Sequence, residues 1–203
     1  MSIIPADQGR MIDLPGVGPC PRPTDIDESV TGFARLKSLR IYRFAPGVTI
    51  DGDSETDEVF VIPLDGTIDI SITGKDSLQA SVGPGAGARA VFMAPDHAYR
   101  LTPQGETHVA YARAAACGRV AVQAVSAAQS DDLAEALSFA IRDLGDGETI
   151  AAGGARETLV HVISGALAQG DRTLEATATL MLHSDSRADL VARGATKVLI
   201  VTA

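Results

Sequence analysis

The chain carries one pattern twice. Residues 47–66 begin with a glycine turn and an acidic run, Asp51-Gly-Asp-Ser-Glu-Thr-Asp57. An apolar strand follows, opening on Glu58 and closing on Asp65-Gly66. A weaker copy runs from Gly147 to Gly165. Ile41, Phe44, Gly47, Thr49 and Ile50 recur as Ile141, Leu144, Gly147, Thr149 and Ile150, displaced by 100 positions. Glu58 and Gly66 recur as Glu157 and Gly165, displaced by 99. Val91-Phe92-Met93, Leu101, Gly105, Thr107 and Val109 recur as Leu180-Met181-Leu182, Leu190, Gly194, Thr196 and Val198, displaced by 89. The matches keep their order, and the shrinking displacement means shorter loops in the second copy.

Within each copy the apolar period is two. Leu39 to Phe44 alternates as a strand with one wet face does, and Ile68, Ile70 and Ile72 share a face beyond the Asp65-Gly66 turn. Further strands are expected at 59–62, 90–93, 99–102, 108–113 and 120–125. Ser130 to Ala136 reads as one or two helical turns with Ser130 as cap. The expected fold class is all-β, with two tandem jelly-roll barrels. The expected organisation is an N-terminal arm over 1–36, a first domain over 37–126, a linker over 127–137 and a shorter second domain over 138–203. Four prolines between Pro15 and Pro23 argue against a helix in the arm, where Met11 to Leu14 is a short edge strand.

With 45% hydrophobic residues, 4% aromatics and no tryptophan, aliphatic side chains and alanine must fill the core. A net charge of −9 argues against nucleic acid or an anionic membrane as partner. The opening residues lack the charged and apolar regions of a secretory signal, and no run approaches the length of a membrane span. Cys20 and Cys117 share no metal or redox spacing and read as reduced thiols, so the expected localisation is cytoplasmic.

The residues resemble the cupin superfamily. Its first motif sets a glycine, two histidines, a glutamate and a glycine at intervals that Gly47, Glu58 and Gly66 match, with one extra residue read as a bulge at Pro63. Asp53 and Glu55 occupy the histidine positions; in the second copy these are Gly153 and Ala155. The second motif falls on Ala94 to Tyr99, and in the second copy on Ser184 to Asp189, without a histidine at the aligned place. Residues 42–47 and 91–98 are similar to the first half of the 5-deoxy-glucuronate isomerase family, a bicupin acting on an inositol-derived sugar acid. That family's metal-binding histidines lie in its second half, and this chain's second half lacks them.

A cupin metal site needs three imidazoles and a carboxylate. The chain's four histidines, His97, His108, His161 and His183, include no His-x-His pair, so no metal and no cofactor is expected. Asp53, Glu55 and Asp57 alternate; on one strand face they could hold a hard cation, and otherwise they form a solvated acidic loop. Glu58 with Phe60 and Ile62, and Glu157 with Leu159 and His161, are expected to face the barrel interiors. Glu58, His97, Tyr99 and Arg100 are the ligand candidates of the first barrel, with Arg100 suited to a carboxylate. Glu157, His161 and His183 are those of the second. The expected function is a metal-poor bicupin, forming a homodimer, that binds a small polar molecule such as a sugar acid. The alternatives are an isomerase of carbohydrate metabolism using Glu58 or His97 for proton transfer, and a structural dimeric subunit.

Overall fold

The period-two runs form strands with few exceptions. The structure, a computed structural model, describes residues 2–118, 121–130 and 136–203. The N-terminal segment contains β1 (Ser2–Ile4), β2 (Met11–Leu14), β3 (Gly18–Pro21), β4 (Thr24–Asp27) and one helical turn, α1 (Glu28–Thr31). The first half follows with β5 (Leu36–Phe44), β6 (Ile50–Asp53), β7 (Asp57–Pro63), β8 (Ile68–Thr73), β9 (Leu78–Val82), β10 (Ala90–Met93), β11 (Ala98–Pro103), β12 (Thr107–Ala115) and β13 (Gln123–Val125). The second half has β14 (Ser138–Leu144), β15 (Thr149–Gly153), β16 (Thr158–Gln169), β17 (Arg172–Glu175), β18 (Thr179–Leu182) and β19 (Arg187–Thr202). The helical turns expected over 130–136 lie mostly on residues outside those described. Among the described residues no helix is long and apolar enough to cross a membrane.

Strand pairing repeats as the sequence does. β7 lies between β10 and β12, and the first part of β16 lies between β18 and β19. β6 pairs β11 as β15 pairs the start of β19, and β5 pairs β12 as β14 pairs its end. In the first half the chain breaks after Pro63, giving a six-stranded and a four-stranded sheet. In the second, β16 and β19 run through the corner with register shifts between Val162 and Ala166, giving one seven-stranded sheet. The bulge expected at Pro63 is therefore a strand end: proline has no N–H for the ladder. Both corners need glycine. Gly66 and Gly165 have φ of 61° and 77°, and a Cβ would stand 2.5 Å from the Thr107 hydroxyl in one copy and 2.6 Å from that of Thr196 in the other.

Alternation on these strands supplies three cores. Val59, Val61, Ile68, Ile70, Ile72, Val109 and Tyr111 fill the first half's interior, and Val160, Val162, Leu180, Leu182, Leu190 and Val198 fill the second's. The opposite faces form a third layer between the halves. Phe60, Ile62, Phe92 and the small residues Ala110, Ala112 and Ala114 meet Phe139, Leu159, Leu199 and Val201 there. The Phe60 and Phe139 rings lie 4.9 Å apart, edge to face.

The segment expected as an arm is built into this frame. β1 extends the second half by pairing β18, β4 extends the first by pairing β5, and the β2–β3 hairpin lays Ile12, Leu14, Val17 and Cys20 on the first interior.

The two motif glutamates join the halves reciprocally. Glu157 accepts backbone N–H bonds from Ala34, Arg35 and Leu36 at 2.6, 2.8 and 2.8 Å, where the chain enters β5. Glu58 accepts one from Leu137 at 3.3 Å, where it enters β14. Each holds the start of the other half's first strand. Glu157→Ala would leave three N–H groups without their acceptor and should cost about 2–3 kcal/mol of stability, seen as a lower urea midpoint with unchanged slope. A loss below about 0.5 kcal/mol would refute the clamp.

Candidate functional site

Polar side chains gather at one end of the first half's interior. Tyr42 on β5, Tyr99 on β11 and Tyr111 and Arg113 on β12 surround a cavity of about 90 Å³, with Asp53 of β6 at its edge and Leu14 of the β2–β3 hairpin covering it. Tyr42 stacks on Phe44 and meets Tyr111 edge-on, both at 5.4 Å, and the Tyr99 and Tyr111 rings are 5.9 Å apart. Room for Tyr99 comes from Gly52, its partner across the β6–β11 ladder: a Cβ there would lie 2.5 Å from the phenol oxygen. Burial pushes the Tyr99 phenol up to about 12 and the Tyr111 phenol well above its ordinary value. Both are therefore neutral donor–acceptors at any physiological pH. Tyr111 is 7% exposed, and its hydroxyl has no hydrogen-bond partner of normal geometry among the described residues.

Arg113 gathers the acidic run. It donates to the Ser54 carbonyl at 2.7 Å and to Glu55 at 3.3 Å, and its Nε lies 3.2 Å from Asp57, which also binds Lys37 at 2.5 Å. The alternation expected of Asp53, Glu55 and Asp57 breaks at Glu55, whose φ is 50°. Asp53 stays at the cavity, Glu55 turns to solvent and Asp57 is buried against its two cations. The carboxylates are separated and partnered, not converged on one strand face.

Of the four first-half ligand candidates, Glu58, His97, Tyr99 and Arg100, only Tyr99 reaches this cavity, and of the acidic run's candidates Asp53 does. Glu58, expected to face the interior with Phe60 and Ile62, points the opposite way with them, because that face packs on the other half. His97 is 4% exposed and held on both sides of its ring: Nδ1 lies 2.8 Å from the Pro95 carbonyl and 3.1 Å from that of Ala94, and Nε2 accepts from the Asp76 N–H at 3.4 Å. Arg100 alternates with the inward Tyr99 and Leu101, so it lies on the outer face in a two-pronged bond to Asp51, at 2.7 and 3.0 Å.

The second-half candidates also leave the interior. Glu157 is the clamp described above. His161 shares the outward face of Leu159 and is 3% exposed, with Nδ1 2.9 Å from the Thr179 hydroxyl; burial lowers its pKa to about 4. His183 lies past the end of β18, edge-on to Phe33 at 5.1 Å. The second interior cluster is entirely aliphatic. Sequence reasoning missed Tyr42, Tyr111 and Arg113. The signal was present: Tyr42 shares the phase of Phe44 and Tyr111 that of Val109, but alternation alone assigns no inward phase to these two strands.

No family model matches the chain, and no curated protein matches it. Solved structures do. Bacterial pirin YhhW of Escherichia coli, in complex with nickel(II), has a TM-score of 0.70 at 12% identity, over 99% of this chain and 98% of that one. Quercetin 2,3-dioxygenase of Acinetobacter baumannii has 0.70 at 15%, over 100% and 85%. A cupin 2 conserved barrel domain protein of Leptotrichia buccalis has 0.55 at 11%, over 98% and 91%.

A transition metal does not fit either interior here. The residues that fill the interiors are overwhelmingly apolar, and among the described residues no three His, Cys, Asp or Glu side chains form a metal set. Elemental analysis after incubation with nickel(II) and removal of excess should find well under about 0.2 metal per chain; near-stoichiometric nickel would overturn this reading. Identities this low establish architecture alone: the chain has the cupin fold.

Proposed function

We propose that the chain is a bicupin that binds a small hydroxylated metabolite in the first half without a metal. The observation that supports this is the Tyr111 hydroxyl, buried without a well-formed hydrogen bond and with the Tyr99 phenol as its polar neighbour, beside a cavity that also offers the Tyr42 phenol, a guanidinium and a carboxylate. A buried hydroxyl left unpaired costs about 1–3 kcal/mol, and a ligand hydroxyl meeting it recovers that cost. The tyrosine faces suit the C–H surface of a sugar, and Asp53 and the phenols suit its hydroxyls. Sugar acids belong to this class. Their carboxylate would meet Arg113 in competition with Glu55 and Asp57, so neutral polyols are the better fit. A cavity of about 90 Å³ admits one end of such a molecule. Displacement of the hairpin that carries Leu14 would admit the rest.

Calorimetric titration with a panel of polyols, aldoses, aldonates and uronates tests this. At least one class should bind one per chain, and Tyr111→Phe, which keeps the ring and removes the hydroxyl, should weaken it about 5- to 50-fold. No binding across the panel, or equal affinity in the variant, would refute the proposal.

A further inference from the structure

A second cavity, of about 120 Å³, lies between the halves, away from the tyrosine cavity. β7 ends beside it with Leu64 and Asp65, β12 brings His108, and β16 brings His161 and Ile163. Gln8 and Thr24 of the N-terminal segment and Thr177 of the β17–β18 turn complete the wall.

Three observations mark it as more than a packing defect. His161 is 3% exposed and lines the cavity; its Nδ1 bonds the Thr179 hydroxyl, and among the described residues no hydrogen bond reaches Nε2. A ring nitrogen without a protein partner beside a cavity is available to whatever fills that cavity. His108 is oriented by Asp65, which accepts from its backbone N–H at 2.6 Å and lies 2.8 Å from its Nδ1. That leaves Nε2 uncommitted, a donor when the ring is protonated and an acceptor when it is neutral, and the same bond raises the His108 pKa and so favours the protonated, donating form. Thr177 has φ of 70°, a backbone region that a β-branched residue rarely enters, and its hydroxyl accepts from Gln8 at 3.2 Å. Such strain costs on the order of 1–3 kcal/mol and collects at ligand sites.

We infer that this inter-half cavity is a second binding site, taking a small carboxylate of a few non-hydrogen atoms between His161 and His108. The remaining wall is suited to it. The threonine hydroxyls and the Gln8 amide are donors, Ile163 and Leu64 supply an apolar side, and the one carboxylate present, Asp65, is already committed to His108. The volume equals that of about four liquid waters, which suits acetate, glycolate or pyruvate and excludes a hexose.

The charged neighbours set a pH dependence. His161 faces His108, and His108 faces Asp65, Arg43 and Glu106. An anion beside the neutral His161 favours its protonation, so binding takes up a proton and tightens as pH falls.

Titration of the full chain with acetate, glycolate and pyruvate, followed by NMR at about pH 7.5 and about pH 5.5, tests this. One of the three should saturate one site per chain, about tenfold tighter at the lower pH. His161→Gln should weaken it at least about tenfold and flatten the pH dependence. His108→Asn, at a half-exposed position, is the second variant should the buried substitution not fold; it should weaken binding similarly. Tyr111→Phe should leave this binding unchanged, which separates the site from the tyrosine cavity whether or not that cavity binds anything. Absence of saturation by all three acids at both pH values, or unchanged affinity in His108→Asn, would overturn the inference.

Discussion

The apolar layer between the two halves is the constraint on which the rest of the structure depends. β7 and the first part of β16 are buried on both faces, so each must serve an interior and this layer at once. One phase of each strand fills its own half, and the other phase meets the partner half. Side chains such as Phe60, Phe92 and Phe139, each worth roughly 1.5–3 kcal/mol when fully buried, make the layer as substantial as either interior. Three alanines on β12 keep its central strand thin enough for the rings to interlock.

That layer decides where the polar groups go. Glu58, Glu157 and His161 lie in the phase that faces the other half, so none reaches a barrel interior. The glutamates instead satisfy backbone N–H groups at the points where each half's first strand begins, a task that peptide donors at a strand entrance always pose. The interiors are left mainly to apolar residues, with a cluster of tyrosines and Arg113 at the hairpin-covered end of the first. The two proposed sites accordingly lie where the tyrosines of β5, β11 and β12 converge and where the halves meet around His161.

Much of the fold was legible along the chain. The repeated Gly-to-Gly segments, the turn at Asp65-Gly66 and the Ile68-Ile70-Ile72 alternation depend on neighbours a few residues away, and their reading as strands and corners agrees with the structure. The candidate site was legible only at Tyr99 and, as a cation ligand rather than a cavity residue, at Asp53. Alternation shows that Tyr99 and Arg100 face opposite ways; it does not show which faces inward. The same ambiguity reversed Glu58 and Glu157 together, because a period of two has no sign. His97 was found as a residue in a special place, but that place is a turn whose carbonyls hold the ring, which no local pattern reveals.

The sequence by itself determined the duplication, the all-β character and the scarcity of metal ligands, since these follow from composition, period and the identities at motif positions. Only the tertiary structure decided which face of each strand is inside, that the N-terminal strands complete both halves, and that Tyr42, Tyr111 and Arg113 share a cavity with Asp53. The physical reason is that facing and convergence are set by packing between segments far apart along the chain, where burial of one apolar face fixes the orientation of every other side chain on the strand.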